Sequence, residues 1–78
     1  MAKKRGRLPA LRPAEVIQVL LRNGFRELRS TKHRHFADQA DPPHVVTVPF
    51  HRRALKRGTL HSIIRQAGWS LEDFHEKL

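Results

Sequence analysis

The densest group of titratable side chains lies between Arg29 and Phe36. The run RSTKHRHF holds two histidines, two arginines and a lysine in eight residues. Three roles suit such a cluster. It can be a solvated basic strand with no chemistry of its own. His33 and His35, at i and i+2 on a strand, can turn two imidazoles toward one metal ion, with His51 as a third ligand. The run itself holds no Cys, Asp or Glu to complete a tetrahedral set. In the third role, His33 is a general base or acid for RNA cleavage. Imidazole exchanges protons near neutrality, so it can take one from a ribose 2′-OH or give one to a leaving 5′-oxygen. Lys32 and Arg34 supply cations that can stabilise the charge building on a phosphate.

Whether these side chains can act together depends on the strand that carries them. Side chains alternate faces along a strand. Phe36 is the core residue of HRHFAD (33–38), so His33 and His35 point to the opposite face and Arg34 shares the side of Phe36. In the following strand, HVVTVPF (44–50), Val46 and Val48 face the core. Thr47 and Pro49 then face outward, with His51 following them. The outward face therefore carries His33, His35, Thr47 and His51, with Lys32 at its rim.

The flanking segments provide the support. Ile17, Leu20, Leu21 and Gly24 recur at i, i+3, i+4 and i+7 after Pro13, which predicts a helix ended by Gly24. FRELRS (25–30) reads as a short strand whose broken alternation suggests a bulge or a junction at Phe25. QADPP (39–43) is a turn, since neither proline has an N–H to donate. HRRALKRG (51–58) is a basic loop. A second helix follows, with Leu60, Ile63, Ile64 and Ala67 on one face, Thr59 as its cap and Gly68 as its end. Trp69 packs beyond that end, and Ser70 with Asp73 caps a short terminal helix around Phe74. The order is α-β-β-β-α plus a small helix. It predicts an α+β fold with a three-stranded antiparallel sheet and the helices packed on one face.

Composition narrows the partners. The chain has 78 residues, with 16 Lys+Arg against 7 Asp+Glu and a formal charge of +9. Such a balance attracts polyanions, nucleic acid above all. There is no cysteine, hence no disulfide framework and no thiolate metal site. No stretch resembles a secretory segment or a membrane span, and a cytoplasmic protein is expected. Residues 1–12, MAKKRGRLPALR, read as a basic flexible arm, and residues 13–78 as a single domain.

Five segments in order carry a family resemblance: NGF (23–25), the H-x-x-F of His33 to Phe36, VPFH (48–51), GTLHSIIRQAG (58–68) and LEDF (71–74). Together they resemble the HicA toxins, also called YcfA-like proteins. The resemblance implies a fold like that of double-stranded RNA-binding domains. It also implies an mRNA-cleaving toxin without a cofactor, neutralised by a HicB-like antitoxin that masks the active site. The family's catalytic histidine, in a Gly-Ser-His motif, corresponds to His33. This chain departs from the motif with Thr31-Lys32 before that histidine. His51 matches the histidine of the family's VP-x-H motif and reads as closing the loop after the third strand. The basic surface that would hold RNA consists of Lys32, Arg34, His35, Arg52, Arg53, Lys56 and Arg57. The backbone at Gly58-Thr59 can offer N–H groups to a phosphate. A non-catalytic RNA- or DNA-binding module of the same fold is the alternative.

Overall fold

In the computed structural model, which describes residues 8–78, Pro13 opens helix α1 (Pro13–Arg22). Proline is suited to this position because its missing N–H would have no partner there. Glu15 accepts the Arg12 backbone N–H at 2.7 Å, and Arg22 lies at the opposite end, so both charges complement the helix dipole. Three antiparallel strands follow: β1 (Arg26–Ser30), β2 (His33–Ala37) and β3 (Val45–Pro49), in spatial order β1-β2-β3. Helices α2 (Arg57–Gln66) and α3 (Leu71–Lys77) complete the chain. The expected α+β order and the antiparallel meander are both present.

The central strand sets the register. Phe36 is fully buried, and Val46 opposite it and Val48 are buried with it. They meet Val16, Ile17 and Leu20 of α1 and Leu60, Ile63 and Ile64 of α2 in one core. In α1 the buried side differs in detail from the periodicity. Leu21 is 43% exposed, whereas Val16 and Val19 are buried. Val19 and Leu21 flank the apolar stripe on opposite sides, and the helix packs on the Val19 side. Phe25 belongs to the helix–strand junction, and the broken alternation after it is a bulge. Between Glu27, opposite Phe36, and Ser30, opposite Arg34, β1 carries one residue more than β2.

Both long helices end in the same way. Gly24 and Gly68 adopt positive φ (91° and 82°), and the N–H groups of Phe25 and Trp69 reach back to Leu20 and Ile64. This is the Schellman geometry, which satisfies carbonyls that a helix end would otherwise leave unpaired. It also delivers one aromatic ring from each helix end to the same place. Phe25 and Trp69 meet edge to face at 5.6 Å, and Trp69 leans on Phe74 at 6.3 Å. Trp69 is therefore a packing residue. Ser70 and Asp73 cap α3 reciprocally, each bond being 3.0 Å.

Helix α2 begins earlier than Thr59. Its N-cap is Lys56, and the Leu60 N–H already bonds the Lys56 carbonyl at 2.9 Å. Leu55 is the cause. It is buried, and its N–H bonds the Leu11 carbonyl at 2.7 Å, which pins the chain just before the helix. Leu8 and Leu11 also pack against the core. The rest of the basic arm, residues 1–7, lies outside the described residues.

The two positive-φ glycines differ in their surroundings. A Cβ on Gly68 would fall 2.6 Å from Nε2 of His44, whose ring is held by Asp38 at 2.6 Å, while a Cβ on Gly24 would meet nothing within 4 Å. Gly24→Ala should therefore cost only the left-handed backbone penalty, about 1–2 kcal/mol. Gly68→Ala should cost measurably more, because the imidazole must also be displaced. Urea denaturation of both variants checks the order.

Candidate nucleic-acid interface and proton-transfer site

Alternation along β2 places His33 and His35 on the sheet face away from Phe36, opposite Pro49 and Thr47 respectively. The two imidazoles then have different surroundings. The His35 ring is hydrogen-bonded on both nitrogens, Nδ1 to Thr47 Oγ1 at 3.1 Å and Nε2 to Thr31 Oγ1 at 3.4 Å. None of the described side chains hydrogen-bonds the His33 ring, which is exposed. His35 is thus held between two hydroxyls, while the His33 ring has no hydrogen-bond partner among the described side chains. Among the described residues no three His, Asp or Glu side chains are grouped to hold a metal ion.

The face carrying His33 is not open on every side. Helix α2 stands along the exposed edge of β3, where Gln66 Oε1 accepts the Thr47 backbone N–H at 2.9 Å. Gln66 in turn donates to Ser62 Oγ at 3.2 Å. Capping an edge N–H in this way blocks pairing with another strand. It also turns the helix into a wall. A cavity of about 320 Å³ lies between His33, Thr47 and Pro49 on one side and Gly58, Thr59, Ser62 and Gln66 on the other.

That wall includes the first turn of α2, where the usual rules for helix ends are reversed. The turn has no acidic residue and no side-chain cap, and Lys56 and Arg57 occupy its first positions. The other helices start with Glu15 and with Glu72 and Asp73. Cations beside the positive end of a helix dipole oppose folding and favour an anion. The N–H groups of the first turn have no intrahelical acceptor. Gly58 and Thr59 bring this turn to the His33 cavity, and a Cβ on Gly58 would meet nothing within 4 Å. The backbone there is open to an approaching phosphate.

The Thr31-Lys32 turn tolerates the absence of glycine. No non-glycine residue among those described has positive φ, and the Thr31 N–H closes the turn on the His33 carbonyl at 3.0 Å. Thr31 gains a hydroxyl for His35, and exposed Lys32 adds a cation at the rim. A family model for the HicA toxin of bacterial toxin–antitoxin systems matches residues 13–69. The chain belongs to the HicA toxin family. A comparison with curated proteins finds no match. Membership makes this chain a toxin of a toxin–antitoxin system, in a family of nucleases that pair with a protein antitoxin. The α-β-β-β-α order also agrees with the double-stranded-RNA-binding-domain-like fold of HicA proteins.

The remaining basic residues divide into two groups. Arg53 and Lys56 border a cavity next to that of His33, together with Pro49, His51 and Thr59. Arg52 lines a further cavity with His51, and Arg57 lies at the start of α2 facing Leu8 and Pro9. His51 does not close the loop after β3. It is exposed, and the buried anchor of that loop is Leu55. Arg34 points away from His33, as its parity with Phe36 requires. Its Nε and Nη2 bind the two Glu27 oxygens at 2.8 and 2.7 Å. Its guanidinium also lies 4.9 Å from the ring centre of Phe50. Glu27 was not legible as its partner, because the β1 bulge decides which side chains share a face.

Hydrogen bonds from Arg34 and then Ser30 lower the Glu27 pKa from 4.5 to about 2. A depressed carboxylate pKa gives stability that is present above the ordinary value and disappears as pH falls through the folded value. Glu27→Gln should therefore be less stable than wild type at pH 7, and the difference should shrink below pH 4.5 and vanish near pH 2. Denaturation at several pH values measures it, and added salt should weaken it because the pair is solvent-exposed.

Proposed function

We propose that this chain is the toxin of a type II toxin–antitoxin pair, an endoribonuclease that cleaves mRNA in the cytoplasm with His33 as proton-transfer residue, without a metal. One observation carries the reading. The unpartnered His33 ring shares a cavity with the uncapped, cation-flanked first turn of α2. A phosphate held on the N–H groups of that turn would lie beside the imidazole. His33 would take the proton of the neighbouring ribose 2′-OH. The 2′-oxygen then bonds to phosphorus, the bond to the 5′-oxygen breaks, and a proton goes to the departing 5′-oxygen. The products are a 2′,3′-cyclic phosphate and a 5′-hydroxyl.

A single imidazole cannot be base and acid at the same instant. Water, or His51 from the adjoining cavity, is the candidate for the second role. His35 is less suited, since both its nitrogens are engaged by threonines. Lys32, Arg53 and Lys56 would hold flanking phosphates. The formal charge of +9 suits an acidic, HicB-like antitoxin that covers the same cavity.

His33→Ala should lower the cleavage rate by about 10²–10⁴-fold while RNA binding and folding persist, as loss of a general base or acid does. A chelator should leave the wild-type rate unchanged. If wild type binds RNA and never cuts it, the non-catalytic binding module of the same fold is the better description.

The helix end has its own test. Gly58→Val has room for its side chain, so the protein should stay folded. The added methyls would cover the first-turn N–H groups, and cleavage should fall at least tenfold. Circular dichroism and an RNA cleavage assay on the same sample separate the two effects.

A further inference from the structure

Three of the four phenylalanines, Phe25, Phe36 and Phe74, are buried, whereas Phe50 is 50% exposed. A large exposed apolar ring is the informative exception on a protein surface. Phe50 follows Pro49, the residue opposite His33, so it stands at the end of the sheet next to the proposed site. Its ring is braced. Arg34 lies over it at 4.9 Å, Glu27 holds Arg34 through two bonds, and Ser30 holds Glu27 at 2.9 Å.

Phe50 lines a cavity of about 420 Å³ with Arg12, Ala14, His51 and Arg52. Arg34 is not part of that lining. The volume falls within the range of small-molecule sites. The walls combine an aromatic floor with cationic edges. No acid lines the cavity, and Glu15 and Glu27 are engaged with the Arg12 N–H and with Arg34. The cavity is linked to the proposed cleavage site through shared wall residues. His51 borders it and the next cavity, and Pro49 and Thr59 border that one and the cavity of His33.

We propose that Phe50, with Arg12, His51 and Arg52, forms a nucleobase subsite that selects single-stranded RNA. The proposal rests on the reading of His33 as the cleavage site for its position along the strand. An unpaired base stacks on the Phe50 ring, and Arg12 and Arg52 hold the phosphates beside it. Aromatic platforms in basic grooves bind single strands in this way. A duplex keeps its bases stacked and cannot insert one.

The test uses the full chain and a labelled single-stranded 2′-O-methyl oligoribonucleotide, which lacks the 2′-OH needed for cleavage, alone and annealed to its complement. Fluorescence anisotropy should show the single strand binding more tightly than the duplex. Phe50→Ala should weaken the single strand by about tenfold to a hundredfold and leave the duplex almost unchanged, while Phe50→Trp should keep wild-type affinity. Equal single-strand binding by Phe50→Ala and wild type would overturn the subsite. So would equal loss of single strand and duplex, or a Phe50→Ala defect confined to binding an acidic protein. The nuclease reading is judged separately, on cleavable RNA. Phe50-dependent binding by a wild type that never cuts would sink that reading and keep the subsite. His33-dependent cleavage with no Phe50 effect would do the reverse.

Discussion

The burial of Phe36 in the central strand is the constraint on which the site depends. A shift of one residue in that strand would expose Phe36 and bury His33, so the core penalises every register but one. Loss of the ring to alanine would cost about 3–5 kcal/mol, a large part of what so small a domain can spare. Because Val46 lies opposite Phe36, the same contact aligns Pro49 with His33 and Thr47 with His35. The position of the imidazoles is thus a consequence of packing on the far side of the sheet.

Electrostatics then distinguishes one corner of the molecule from the rest. Helices α1 and α3 carry acids in their first turns, in agreement with their dipoles, and one acid in each accepts the N-cap N–H. Helix α2 does neither and places Lys56 and Arg57 there. A local rule broken at one place, and obeyed elsewhere in the same chain, is what a binding site looks like when stability and function compete. The helix is held by other means. Leu55 pins its start, Gln66 ties it to the β3 edge, and the Schellman turn at Gly68 joins its end to Phe25 through Trp69.

Charge alone ranks the basic residues poorly. Arg34 and Lys32 flank the same histidine, yet their surroundings differ. Arg34 is bound to Glu27 and stacked on Phe50, whereas Lys32 is exposed in the turn. Arg34, expected on the surface that would hold RNA, is thus engaged with Glu27 and braces an aromatic ring.

The sequence by itself determined the order of the elements, the face of His33 and the helix-ending glycines. These follow from local rules: a period of two in strands, a period near 3.6 in helices, and the need for positive φ at Gly24 and Gly68. It also carried the family motifs that single out His33. Only the tertiary structure decided which side residues α1 buries, since Val19 and Leu21 border the stripe about equally. It moved the start of α2 from Thr59 to Lys56, because an anchor at Leu55 outweighs capping preference. It engaged His35 with Thr31 and Thr47, and left the His33 ring without a hydrogen-bond partner among the described residues. The bulge in β1 joined Glu27 to Arg34, and the fold brought Phe50 beside Arg12. These are contacts between residues distant in sequence. They depend on register and on how the helices dock, which no local spacing encodes.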